Sequence, residues 1–159
     1  MTPERLAFLF SACERVEKWL DIAPSAFAET ILPTDDARIA RIEHVCHELG
    51  HATLLNIGLG PKLEDRVSAE LVTNWATLKS TRGDWTRAEL NEVDAFAVEM
   101  MAMELMGFEL ETLVFVEMCE IQVSGTRDEI KAEWSRFRAT KRCGQLAKKI
   151  VTIFGRAMS

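Results

Sequence analysis

The chain has 159 residues, of which 48% are apolar and 28% charged, and its net charge is −6. That length can bury one sizeable core, and no apolar run approaches the ~18 residues of a membrane span. The apolar stretch Leu6–Cys13 has no basic segment before it and continues through Val16 and Leu20 as an amphipathic pattern, so a cytoplasmic protein without a signal peptide or membrane partner is expected.

Nearly every segment reads as helix. Thr2-Pro3-Glu4 opens the first, with proline near the first turn, and it runs to about Leu20. Pro24–Leu32 reads as a short helix closed by Pro33. A longer one runs from about Asp35 to Ile57, capped by Thr34-Asp35-Asp36. Its apolar positions are Ile39, Ile42, Val45, Cys46, Leu49 and Ala52, and Gly58-Leu59-Gly60-Pro61 stops it. Lys62–Lys79 follows, with Val67, Leu71 and Trp75 on one stripe, and then a turn at Thr81-Arg82-Gly83-Asp84. A helix over about 86–106 ends at Gly107. Leu110–Val123 fits either a helix or a buried strand. Thr126-Arg127-Asp128-Glu129 is a capping box that opens a basic segment over about 126–156, with Ile130, Trp134 and Phe137 in register and Gly144 as a point of division. Met100, Met101, Met103 and Met106 read as core, and Trp19, Trp75, Trp85 and Trp134 as core or helix-junction residues. The expected fold is mainly α: a single compact helical domain over residues 1–159, with room for a small β element.

The three histidines, His44, His47 and His51, fall within eight positions. His47-Glu48-Leu49-Gly50-His51 is an HExxH motif. On a helix the two motif histidines lie one turn apart and can grip one Zn²⁺ from one face, while Glu48 can take a proton from the activated water. Zinc is therefore the expected cofactor. A hydrolytic site wants a third protein ligand, and the helix has turned away after His51, so this ligand comes from elsewhere. Glu70, Glu92 and Glu99 are the acidic candidates downstream. Glu92 and Glu99 share a helix face but stand about 10.5 Å apart along the axis. One can ligate while the other holds a hydrogen bond to a ligand.

HELGH followed by Glu92-Val93-Asp94-Ala95-Phe96-Ala97-Val98-Glu99 resembles the ImmA/IrrE-type metallopeptidases, a gluzincin-like group of intracellular proteases. The resemblance covers about residues 43–101. It implies Glu92 as the third ligand beside His47 and His51. Asp94 and Glu99, the other acidic positions of the motif, are then supporting or alternative ligands, as is Glu70. It also implies a protein substrate, in the typical case a DNA-binding transcriptional repressor.

The leading expectation is thus a zinc-dependent endopeptidase acting on a specific intracellular protein. Its oxyanion needs a hydrogen-bonding or positive group. The chain has no tyrosine, which leaves His44 as the candidate, with Arg66 and Arg87 behind it. Two alternatives stand beside this. Glu48-Leu49-Gly50-His51 also fits the Glu-x-x-His signature of di-iron bundles, although the chain has no second copy. A non-catalytic zinc-binding adaptor is the other. No alternating strand pattern precedes Asp35, so a generic peptide-binding edge is not expected. Cys13, Cys46, Cys119 and Cys143 are scattered without a CxxC pair, as suits reduced thiols. Residues 127–159 carry nine Lys/Arg against three Asp/Glu, +6, leaving −12 for the rest. The basic tail is expected to pack on the acidic body of its own molecule, and direct nucleic-acid binding is not expected.

Overall fold

The computed structural model describes residues 1–23 and 34–159; the helix expected over Pro24–Leu32 lies outside them. Among the described residues there are seven α-helices, α1 (Pro3–Leu20), α2 (Thr34–Leu55), α3 (Leu63–Glu70), α4 (Arg87–Leu105), α5 (Thr112–Gln122), α6 (Arg127–Arg138) and α7 (Lys141–Ala157), and no strand. The β content of the described residues is an isolated antiparallel bridge between Lys79 and Thr86. Among the described residues no helix is long and apolar enough to cross a membrane.

Local side chains set the helix starts. Thr2 accepts from the Arg5 amide, and Thr140 from the Cys143 amide. Thr86 with Glu89, and Thr126 with Glu129, close reciprocal capping boxes, each satisfying two amides that a helix start leaves open. Asp21 (φ 55°) and Asn56 (φ 57°) end α1 and α2 in left-handed backbone, which short polar side chains tolerate better than most.

Three expectations need correction, and one open choice is settled. The helix expected over Lys62–Lys79 is α-helical only to Glu70 and then widens into a π-helical turn, Leu71–Trp75. The Glu70 carboxylate holds that turn by accepting from Asn74 Nδ2 (2.9 Å) and Trp75 Nε1 (3.1 Å). Residues 112–122 settle as helix, because Phe115, Val116 and Cys119 form one buried face at helical spacing. The basic segment divides at Ala139–Thr140, where Thr140 caps a new helix, and not at Gly144. Gly144 stays helical because Cys143, Leu146, Ala147, Ile150 and Phe154 make a continuous buried stripe across it, which outweighs the ~1 kcal/mol propensity cost of a glycine. Trp19, expected in the core or at a helix junction, is 49% exposed: it lies about 100° round the helix from Leu20, outside the Leu9, Cys13, Val16, Leu20 stripe. Trp85 and Trp134 are buried.

α4 is the central element. It is buried on almost every side, including Val93–Met100, Ala102 and Met103, as a helix enclosed by others must be. α2, α5, α6 and α7 pack around it, and α1 lies across α2 and α7. A partly buried ion pair joins α1 to α2: Arg41 meets Glu17 through two contacts, Nη2–Oε1 at 2.5 Å and Nε–Oε2 at 3.2 Å. Several charges of the basic C-terminal segment pair with acids of the same chain: Arg138 with Glu104 of α4, Arg127 with Glu120 of α5, and Arg136 with Glu133 within α6. All four cysteines are buried free thiols.

Candidate metal centre

The centre forms where α2 crosses α4, and the glycine of HELGH sets the approach. A Cβ on Gly50 would sit 3.1 Å from the Ala95 carbonyl oxygen and 3.5 Å from its Cα. Only glycine lets the two backbones come this close without displacement. His47 and His51, one on either side of Gly50, are thereby carried to Asn91, Glu92 and Glu99 on α4.

His47 Nε2 lies 2.6 Å from Glu92 Oε1, His51 Nε2 lies 2.9 Å from Glu92 Oε2, and the two Nε2 atoms are 3.1 Å apart. Three donors therefore face one point, and His47, His51 and Glu92 are one group of described residues that could hold a metal ion. The other ring nitrogens are held from behind. His51 Nδ1 hydrogen-bonds Asn91 Oδ1. Glu99 Oε1 stands 3.1 Å from His47 Nδ1, poorly aligned, so that this nitrogen has a charge contact but no regular hydrogen bond. The Phe96 ring lies against His47 with centroids 4.2 Å apart, and Phe115 lies behind Phe96 at 6.2 Å. His51 is 4% exposed at its side chain, against 12% for His47 and 15% for Glu92, so the centre opens to solvent on the Glu92 side.

The charges have one sense. Burial alone would depress His47, but the hydrogen bond of Glu92 and the nearby carboxylates of Glu92 and Glu99 outweigh it and push it up to about 10. Burial works to raise Glu92, yet His47 and His51 hold it well below the usual carboxylate range. Burial raises Glu99, against the pull of His47. Glu43 is pushed up to about 8 by burial and by the charge of Glu99. The pocket thus stabilises positive charge at its centre. Two Nε2 atoms facing each other at 3.1 Å need a proton or a cation between them. A zinc ion with bonds of about 2.0–2.1 Å needs tetrahedral donors about 3.3 Å apart, so the donors here would move apart by roughly 0.2–0.7 Å to hold one. Two imidazoles and a carboxylate are also a donor set that suits zinc.

Glu48 points to the flank of this group. Burial raises its carboxyl above the usual range, opposed by the charges of His51, His47 and His44. Its neighbours there are His44 and Glu64, and Glu64 Oε2 lies 3.5 Å from His44 Nε2. Two residues expected as alternative ligands lie elsewhere. Glu70 is committed to the π-helical turn. Asp94 stands two residues after Glu92, about 200° round α4, and meets Glu133 of α6; burial and Glu133 push it up to about 9. Arg66 spends its donors on the carbonyls of Gly58, Gly60 and Pro61, and Arg87 lies over the Trp75 ring. Neither belongs to the donor group. Asn91 is the site residue that sequence reading missed. Its place beside Glu92 was visible, but its contact with His51 depends on the helix crossing. Two cavities, of about 280 and 320 Å³, lie elsewhere and contain none of the three donors.

The chain matches no known family model, no curated protein and no solved structure.

Proposed function

We propose that the protein is a zinc-dependent endopeptidase, with His47, His51 and Glu92 as the metal ligands and Glu48 as the general base. The observation that carries this reading is the convergence of both Nε2 atoms on the Glu92 carboxylate, with Glu48 alongside. Zinc, when bound, supplies a Lewis acid that makes water a nucleophile near neutral pH. The chain's residues do the rest. Asn91 and Glu99 fix the ring orientations of His51 and His47, which raises their basicity as ligands. The Glu48 carboxylate accepts the proton of the attacking water and returns it to the leaving amine. Its partial removal from water favours both, since a group poised nearer neutrality gives and takes a proton more readily. His44, one turn before Glu48, is the residue nearest in kind to an oxyanion donor.

The substrate proposed is one particular protein, of the repressor class that the motif resemblance suggests, and not peptides in general. No strand edge among the described residues offers main-chain pairing to an extended peptide, which is the usual source of sequence-tolerant affinity. Recognition then rests on side chains.

Elemental analysis of purified protein tests the metal, with near-equimolar zinc expected and its loss in His51→Ala and Glu92→Ala. Two irons per chain would replace the peptidase by the di-iron alternative. Glu48→Gln is expected to keep zinc and fold while slowing hydrolysis by about 10²–10⁴-fold. Efficient zinc-dependent digestion of casein at many sites would refute selectivity.

A further inference from the structure

A second group of donors lies beside the first. His44, Glu48 and Glu64 each bring one ligand atom within 4.8 Å of the other two. His44 and Glu48 are one turn apart on α2, and Glu64 stands in the first turn of α3. The position of α3 relative to α2 is held by Arg66, whose guanidinium accepts no choice of partner: Nη1 donates to Gly58 O at 2.6 Å, Nη2 to Gly60 O at 3.0 Å and Nε to Pro61 O at 3.3 Å. That clamp spans the connection between the two helices and keeps Glu64 facing His44.

We propose that His44, Glu48 and Glu64 form a second divalent-cation site, which fills when zinc is in excess and thereby occupies the carboxylate the reaction needs. The group is not simply acidic, because an imidazole nitrogen stands among its donors, and a mixed nitrogen and carboxylate set suits zinc. The His44 Nε2 to Glu64 Oε2 distance of 3.5 Å is close to the ~3.3 Å spacing of tetrahedral zinc ligands. His44 and Glu64 are 31% and 33% exposed at their side chains, so Glu64 can close the remaining gap and water can complete the coordination. Charge points the same way. Among the described residues neither Glu48 nor Glu64 has a lysine or arginine at ion-pair distance, and Arg66, two residues from Glu64, is spent on carbonyls. Two carboxylates therefore share this flank with an imidazole, and no lysine or arginine is paired with either.

The site rests on its own geometry; its inhibitory effect rests on the reading of Glu48 as general base. Glu48 would be shared between the proton transfer and the second ion. A carboxylate coordinated to a cation is a weaker base, because the cation's charge stabilises its ionised form, so a protein carrying both ions hydrolyses slowly.

The test is equilibrium dialysis of the full chain against rising free zinc, with bound metal counted per chain. Wild type is expected to take one ion tightly and a second at higher zinc. Glu64→Gln, which keeps shape at a partly exposed position, is expected to stop at one. Glu92→Ala is expected to lose the tight ion and keep the weak one. A wild type that saturates at one ion throughout, or a Glu64→Gln protein that still takes two, overturns the second site. With a verified substrate, excess zinc is expected to slow wild type at least tenfold while the same excess leaves the rate of Glu64→Gln at its own low-zinc value. Failure of the singly loaded protein to hydrolyse anything overturns the peptidase reading instead, and the metal count still decides the site.

Discussion

Gly50→Ala tests whether the centre depends on the close crossing of α2 and α4. The new Cβ would lie 3.1 Å from Ala95 O and 3.5 Å from its Cα, and both are backbone atoms that cannot rotate away. Relief requires the helices to part by a few tenths of an ångström. Two terms compete. Alanine gains about 1 kcal/mol of helix propensity over glycine, while overpacking a tight contact costs about 1–3 kcal/mol. The net expected is a loss of about 1 kcal/mol, or about 2–4 °C in Tm at this size. The metal should suffer more. His47 and His51 flank the substituted position, and metal–ligand distances tolerate only about 0.2 Å. Zinc affinity, measured by competition with a chromogenic chelator, should fall at least tenfold. Gly155→Ala is the control: nothing lies within 4 Å of its Cβ position, so it should gain up to about 1 kcal/mol with zinc affinity unchanged. If thermal melts of the metal-free proteins show both variants stabilised alike, and chelator competition finds no change at Gly50→Ala, the crossing does not set the site.

Asn91→Ala and Glu99→Gln remove the groups behind His51 and His47, and each should weaken zinc binding by about 10–100-fold while leaving far-ultraviolet circular dichroism unchanged; undiminished affinity would mean that the rings are held by packing alone. Asp94 is held protonated, its carboxyl pushed up to about 9 by burial and Glu133. An acid raised on folding stabilises fully below its unfolded pKa and loses that contribution as pH climbs toward the folded value. Asp94→Asn keeps a neutral donor for Glu133, so its Tm should gain on wild type between pH 6 and pH 9, and parallel curves would refute the assignment. Arg41→Met leaves the buried Glu17 carboxylate without its partner and should cost about 3 kcal/mol in urea unfolding. The Glu17→Met/Arg41→Met double variant should recover most of that, and a double variant as unstable as the single one would count against the desolvation argument.

The amino-acid sequence determined what depends on neighbours along the chain. Thr86 and Glu89, or Thr126 and Glu129, find each other within one turn, so the starts of α4 and α6 were legible. The same locality placed His47 and His51 together, because positions four apart on a helix share a face whatever surrounds it. Phe115, Val116 and Cys119 were equally visible as apolar, but only burial against α4 made their period helical rather than extended. Between Glu70, Glu92 and Glu99, choice of the residue that meets both Nε2 atoms depended on how α2 crosses α4, which Gly50 and Ala95 govern from residues 45 apart in sequence. Asp94 shows the limit: it stands in the same motif as Glu92, yet two residues carry it about 200° away to Glu133, a partner 39 residues on. Asn91 and Glu64 became site residues for the same reason. Capping and periodicity are short-range and written locally, whereas a coordination geometry is a set of distances between helices, and only the packed tertiary structure sets those.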